Sequence, residues 1–259
     1  MIPLVLVHSA GATPSIWDEV RRHLKGIPVI APALPGWRGA GEPAADVGRH
    51  AAAVLSAMDE AGAARATIAG HSLGGGVALW IALNAPERGV AIGLVSTGAR
   101  LRVRPEALAA LPAGLEEVAP LMAAGNFPPG APAGLVEDRR RAYLEVGAET
   151  VLADLTACDR FDVLDRLWEI RCRAQVLVGS ADALTPPKYA YALAERISAA
   201  RLIEYPGAGH MLPVERPAEV AGELAVLWAA ALDGRRPASE ARSSVLAAGR
   251  GPGSPGRTG

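Results

Sequence analysis

Ala66-Thr67-Ile68-Ala69-Gly70-His71-Ser72-Leu73-Gly74-Gly75-Gly76-Val77-Ala78-Leu79-Trp80-Ile81-Ala82 runs from a short apolar strand-like segment, through a serine set between glycines, into an apolar helix-like stretch. Its centre, Gly70-His71-Ser72-Leu73-Gly74, has the spacing of a nucleophile elbow. A serine hydroxyl is a poor nucleophile at its own pKa. It must be lifted out on a sharp turn, where an imidazole can take its proton and backbone amides can receive the developing oxyanion. Gly70 and Gly74 are expected to spare the turn two Cβ atoms that would collide, while Ser72 holds dihedrals that cost roughly 1–3 kcal/mol. A glycine-rich turn with an incidental serine is the plainer reading of these five residues alone. The rest of the chain decides between the two.

Working outward, the partners such a serine needs follow in order. Ala174-Gln175-Val176-Leu177-Val178-Gly179 reads as a short buried strand running into Ser180-Ala181-Asp182-Ala183-Leu184-Thr185-Pro186, which makes Asp182 the candidate acid. Arg201-Leu202-Ile203-Glu204-Tyr205 leads into Pro206-Gly207-Ala208-Gly209-His210, which makes His210 the candidate base. Serine, aspartate, histidine, each just past a strand, is a chain order different from those of the chymotrypsin and subtilisin folds. Ser96-Thr97, at an earlier strand end, offers no carboxylate. Asp154, Asp159, Asp162 and Asp165 follow no strand.

Four segments together resemble the α/β-hydrolase-fold serine hydrolases over Ile2 to Leu232. They are Leu4-Val5-Leu6-Val7-His8-Ser9-Ala10-Gly11 with Trp17, the elbow at Ser72, the loop Gly179 to Pro186, and Gly207 to Pro217 with its Gly-Ala-Gly-His and Glu-Arg-Pro. The resemblance implies that Ser72 attacks, His210 carries the proton, Asp182 orients the imidazole, and the amides of Ala10 and Leu73 form an oxyanion hole. In comparable sites one such donor is worth about 3–4 kcal/mol in the transition state. The chain departs from the family pattern at Ser9, where relatives carry glycine after the histidine. It also enters its first strand directly, without an antiparallel hairpin, so a sheet of about six strands is expected.

The expected fold class is therefore α/β: a mostly parallel sheet covered by helices on both faces. Strands are expected at Leu4 to His8, Pro28 to Ala31, Ala66 to Ala69, Ala91 to Ser96, Gln175 to Val178 and Arg201 to Tyr205. Helices are expected at Ile16 to Leu24, Asp46 to Ala61, Gly75 to Leu83, Lys188 to Ile197 and Pro217 to Ala231. Residues 1–99 and 169–233 form the core in this reading. Residues 100–168, with helical patterns at Pro105 to Ala124 and Glu137 to Asp154, form an inserted helical cap. Leu121, Met122, Phe127, Leu135 and Leu155 are candidate apolar walls over the site. Arg139, Arg140 and Arg141 read as a solvated helix face, unless one turns inward to hold a substrate carboxylate. Residues 234–259, rich in Gly, Pro, Ser and Arg, lack the apolar surface to offset ordering and read as a disordered tail.

Composition fits a soluble enzyme. The 259 residues are 50% hydrophobic with a net charge of −1, enough for a buried sheet and without the basic excess of a nucleic-acid or membrane-surface binder. No signal peptide or membrane span is legible. The two cysteines, Cys158 and Cys172, are too few for a disulfide framework and wrongly spaced for zinc, which points to reduced thiols in the cytoplasm. No cofactor or metal is called for, and the sequence sets no oligomeric state. His8 reads as a support for the oxyanion loop, His71 as pointing away from the nucleophile, and His23 and His50 as surface bystanders.

The same triad serves several reactions, so fold does not fix function. A serine nucleophile excludes the branches of the family that need aspartate there. Hydrolysis of a small-molecule carboxylic ester comes first. A lactone comes second, because Leu94-Val95-Ser96-Thr97-Gly98-Ala99-Arg100 and Thr185-Pro186-Pro187 resemble the 3-oxoadipate enol-lactonases, and an inward cap arginine would favour that small dicarboxylate. A noncatalytic binding protein of the same fold is the alternative from another class, and the complete serine, aspartate and histidine set speaks against it.

Overall fold

The computed structural model describes residues 2–111 and 114–233; the proposed tail, 234–259, lies outside them. Six parallel strands form one sheet: β1 (Leu4–Val7), β2 (Val29–Ile30), β3 (Ala66–His71), β4 (Gly89–Val95), β5 (Arg173–Gly179) and β6 (Ala200–Tyr205), in the order β2-β1-β3-β4-β5-β6. β1 pairs in register with β3 from Leu4 opposite Thr67 to Val7 opposite Gly70. The order reverses at β1: the chain first steps outward to β2, then returns to β3 on the other side. Ligands of open parallel sheets bind beyond the carboxyl ends at such a reversal. Here that point holds both Ser9–Gly11, after β1, and Ser72, after β3.

Alternation along the strands supplies two buried faces. Val5 and Val7 pack with Ile68, Ile92, Leu94, Val176 and Val178 in one cluster, which takes in α2 (Val47–Glu60), α3 (Leu73–Asn84) and α8 (Pro187–Arg196). Leu4 and Leu6 pack with Ala69, Val95 and Leu177 in the other, against α1 (Asp18–His23) and α10 (Pro217–Leu232). Helix ends obey local chemistry. Asp46 caps α2 by accepting from the Arg49 amide at 3.1 Å, and Gly62, at φ +68°, closes it; Pro187 and Pro217 stand at the first positions of α8 and α10, where no N–H is needed. A 3-10 turn at Pro14–Trp17 precedes α1, whereas the sequence suggests one continuous helix there.

Between β4 and β5 the chain inserts, among the described residues, four α-helices, α4 (Pro105–Ala110), α5 (Leu115–Ala124), α6 (Ala133–Val146) and α7 (Ala148–Arg160). Each of the two helices expected in this stretch is divided. Gly147, at φ +89°, separates α6 from α7, and Gly114, at φ +155°, precedes α5. These helices hold a small core of their own, with Leu115, Ala119, Ala123, Tyr143, Val146 and Val151 in contact. Of the expected apolar walls, Leu121 is 79% exposed and faces outward, while Phe127 is buried. Among the described residues no helix is long and apolar enough to cross a membrane. A short helix, α9 (Leu212–Glu215), follows His210.

Candidate active site

Ser72 sits between the end of β3 and the first turn of α3 with φ +54° and ψ −113°, a conformation that non-glycine residues occupy only under constraint. The constraint is visible. Its amide donates to Val95 O at 2.9 Å, and its carbonyl accepts from the Gly75 amide at 2.9 Å and from Thr97 Oγ1 at 2.7 Å. The flanking glycines are sterically required. A Cβ on Gly70 would lie 1.9 Å from Gly74 O, and one on Gly74 would lie 2.2 Å from Val7 O. The second contact also shows how closely the start of α3 sits against the exit of β1. Ser72 Oγ makes no hydrogen bond among the described residues.

Asp182, in the loop after β5, is buried and receives four hydrogen bonds. Oδ1 accepts from the amides of Leu184 and Thr185 at 2.9 and 2.8 Å; Oδ2 accepts from Thr185 Oγ1 at 2.8 Å and from His210 Nδ1 at 2.9 Å. Burial alone would push this carboxyl up, but the charge and hydrogen bond of His210 and the donors of Thr185 outweigh it and hold the group below the usual carboxylate range. The carboxylate fixes the His210 proton on Nδ1 and leaves Nε2 as the acceptor.

The backbone around His210 is tied on every side. Its amide donates to Asn126 O at 3.1 Å, and its carbonyl accepts from His71 Nε2 at 2.8 Å. The neighbouring amides of Gly209 and Met211 donate to the two oxygens of Glu215 at 2.8 and 2.9 Å. His71, expected to point away from the chemistry, instead anchors the His210 loop, with the two rings 4.9 Å apart. Burial, then the charge of His210, drives the His71 pKa well down, so it serves as a neutral donor.

After β1, His8 donates from Nδ1 to Ser9 O at 3.0 Å and accepts the Leu34 amide on Nε2 at 3.0 Å. Burial lowers its pKa to about 4, which keeps this neutral bridge intact. Ser9 costs the loop no strain, because the left-handed turn falls two residues later, at Gly11 with φ +56°. Among the described residues, the amides of Ala10 and Leu73, both buried, donate to no protein acceptor. Buried amides seldom lack an acceptor; one of these two directly follows Ser72, and the other lies in the loop after β1, whose exit packs on the start of α3.

The inserted helices reach this loop with two side chains, Asp154 and one of the three arginines, the inward turn that the sequence left open. Arg139 of α6 is turned inward and buried; it donates to Ala10 O at 2.8 Å, Gly11 O at 2.7 Å and Asn126 Oδ1 at 3.0 Å. Arg140 and Arg141 pair with Glu137 on the surface, as expected. Asp154 of α7 accepts the Gly11 amide at 2.9 Å and lies 3.5 Å from His50, which is fully buried and no bystander. The roles of Asn126, His71 and His50 escaped the sequence because each acts across a long stretch of chain, and that of Glu215 because it holds backbone amides only four and six residues away. The one local signal was Glu215 in its Glu-Arg-Pro segment.

Sheet topology, strained serine turn and buried aspartate–histidine pair place the chain in a known class: residues 4–223 match the alpha/beta hydrolase family, and the chain belongs to it. It is 29% identical, over 84% of its length and 94% of the relative's, to a pimeloyl-[acyl-carrier protein] methyl ester esterase from Aromatoleum aromaticum. A thermophilic esterase structure superposes with TM-score 0.79 at 32% identity, covering 89% of this chain and 91% of that one. An enol-lactonase from Burkholderia xenovorans LB400 superposes with TM-score 0.81, covering 88% and 91%, and at 22% identity that likeness speaks of the fold.

Proposed function

We propose that this alpha/beta hydrolase cleaves small carboxylic esters through an acyl-enzyme on Ser72, with His210 as proton carrier and Asp182 as its orienting acid. The observation that carries the reading is the 2.9 Å Asp182–His210 contact, its histidine packed against His71, the residue before a serine held at positive φ. Ser72 Oγ attacks the ester carbonyl carbon while its proton moves to His210 Nε2. The oxyanion accepts from the amides of Leu73 and Ala10, which lack other acceptors. Collapse expels the alcohol, which takes the proton from His210. Water, deprotonated by the same nitrogen, then releases the acid and restores the serine. Hydrogen bonds from the nucleophile are often loose before substrate binds, so an unengaged Ser72 Oγ accords with this scheme. The esterase relatives support the ester reading. The inserted helices, residues 100–168, act in this scheme as a cap that limits substrate size.

The lactonase alternative keeps its two resembling segments but not the inward arginine as a ready carboxylate holder. All three nitrogens of Arg139, the inward arginine, already donate to protein oxygens.

The test is hydrolysis of p-nitrophenyl esters of graded acyl length, before and after a serine-reactive phosphonate, beside Ser72→Ala. Phosphonate-sensitive turnover with a short-chain optimum, abolished in a folded Ser72→Ala protein, is expected. Substantial turnover by Ser72→Ala would remove Ser72 as nucleophile. A labelled but idle wild-type enzyme would shift attention to lactones.

A further inference from the structure

Arg139 presents a puzzle of energetics. Burying a guanidinium is costly unless it is fully hydrogen-bonded, and buried charges are often replaceable by apolar side chains without loss of stability. Among the described residues no carboxylate pairs directly with Arg139. Its nitrogens meet two backbone carbonyls and one side-chain amide, and its guanidinium lies over the Tyr143 ring at 3.9 Å. The two carbonyls belong to Ala10 and Gly11. The amide is that of Asn126, whose own carbonyl accepts the His210 N–H at 3.1 Å. On the opposite side of the same loop, Asp154 takes the Gly11 amide, and the Tyr143 ring fills the space where a Cβ on Gly11 would stand, 2.6 Å away.

We propose that Arg139 is a positioning residue: from the inserted helices it sets the Ala10–Gly11 loop and, through Asn126, the His210 loop, so that oxyanion donor and base share one brace. The inference rests on the ester-hydrolase reading above. It assigns the cap a part in the reaction beyond closing over the substrate. Arg139 touches neither substrate nor reacting atoms. The planar fork is what the site requires, because one guanidinium spans three acceptors in fixed directions, which the single ammonium of lysine cannot do.

The consequence is a loss that falls on kcat. A displacement of the donor loop by about 1 Å is enough to cost about 10²-fold in rate, while interactions made equally with bound substrate and transition state, which set KM alone, are left in place. The experiment compares Arg139→Ala and Arg139→Lys with the wild type in ester hydrolysis, with thermal unfolding as the measure of fold and Ser72→Ala as the control for the reaction. Both folded variants are expected to lose about 10²-fold in kcat with KM within about threefold of wild type. Millimolar guanidinium is expected to restore a substantial part of kcat in Arg139→Ala alone, where urea and potassium chloride do not. If Arg139→Ala fails to fold, Arg139→Lys carries the comparison, since it retains charge and bulk. Wild-type kcat in either folded variant, or a rise in KM with kcat intact, would overturn the brace; the latter result would put Arg139 on the substrate. Turnover surviving in Ser72→Ala would overturn the underlying reading and the brace with it. A dead Ser72→Ala beside fully active Arg139 variants would remove the brace alone.

Discussion

Asp182 shows how much of the site is decided atom by atom. Its four hydrogen bonds leave one geometry in which an imidazole proton can sit on Nδ1. In Asp182→Asn the amide NH2 group, turned toward His210, would favour the opposite tautomer, with Nε2 protonated and unable to take the Ser72 proton that the proposed mechanism assigns to it. Turnover is expected to fall by about 10⁴-fold, the loss seen for the equivalent change in a serine protease, with the fold retained in circular dichroism. A near-normal kcat/KM on p-nitrophenyl acetate would move the acid elsewhere. The places of Ser72, Asp182 and His210, the proposed triad, were legible because each lies just past a strand in a glycine-containing loop, and Gly70 and Gly74 because the turn needs them. His71 and Glu215 were not, since their partners are backbone groups: the His71 contact spans 139 residues of chain, and nothing local announces it.

At the scale of elements, periodicity located all six strands and the helices flanking them to within a few residues, because an apolar run buried on two faces has few alternatives. The inserted helices were located but not divided. Glu137 to Asp154 carries a helical pattern on both sides of Gly147, and only the left-handed backbone of that glycine parts α6 from α7. A Cβ there would meet nothing within 4 Å, so the cost of Gly147→Ala is conformational alone, about 1–2 kcal/mol. That corresponds to a melting temperature lower by roughly 2–8 °C in a chain of this size. An unchanged melting point would mean that the two helices merge without penalty. The inward turn of Arg139 belongs to this scale too. In sequence the run Arg139-Arg140-Arg141 is uniform, and the face of α6 that meets the Ala10–Gly11 loop is fixed by packing around Tyr143, on the same helix.

Across the whole molecule, the contacts between sheet and inserted helices bury titratable groups whose protonation must respond to folding. Burial raises the Asp154 carboxyl to about 7, against the Gly11 amide and the charge of Arg139, which lower it. His50 beside it, and His8, are lowered by burial to about 4. Their effects on stability have opposite signs. Between about pH 4 and 6.5 the unfolded chain binds the protons that His8 and His50 refuse, so their contribution to stability rises with pH and is lost on acidification. Asp154 works the other way: from its unfolded value near 3.8 up to about 7 the folded protein holds the extra proton, so its contribution falls as pH rises through that window. Two histidines, joined by His71, which burial also lowers, outweigh one carboxylate. The urea midpoint is therefore expected to climb from pH 4.5 to about 6.5 and then slacken. Asp154→Asn keeps an acceptor for the Gly11 amide and removes the ionisation. Relative to wild type, the variant should gain stability between pH 5 and pH 8 on the order of 1–3 kcal/mol, the upper figure being the part of the shift that lies above pH 5, about two units, converted at 1.36 kcal/mol per unit. Urea unfolding of both proteins at the two pH values measures it. A difference that stays flat would show that Asp154 ionises as an ordinary carboxylate, and that the clamp on Gly11 is made by a charged group at neutral pH.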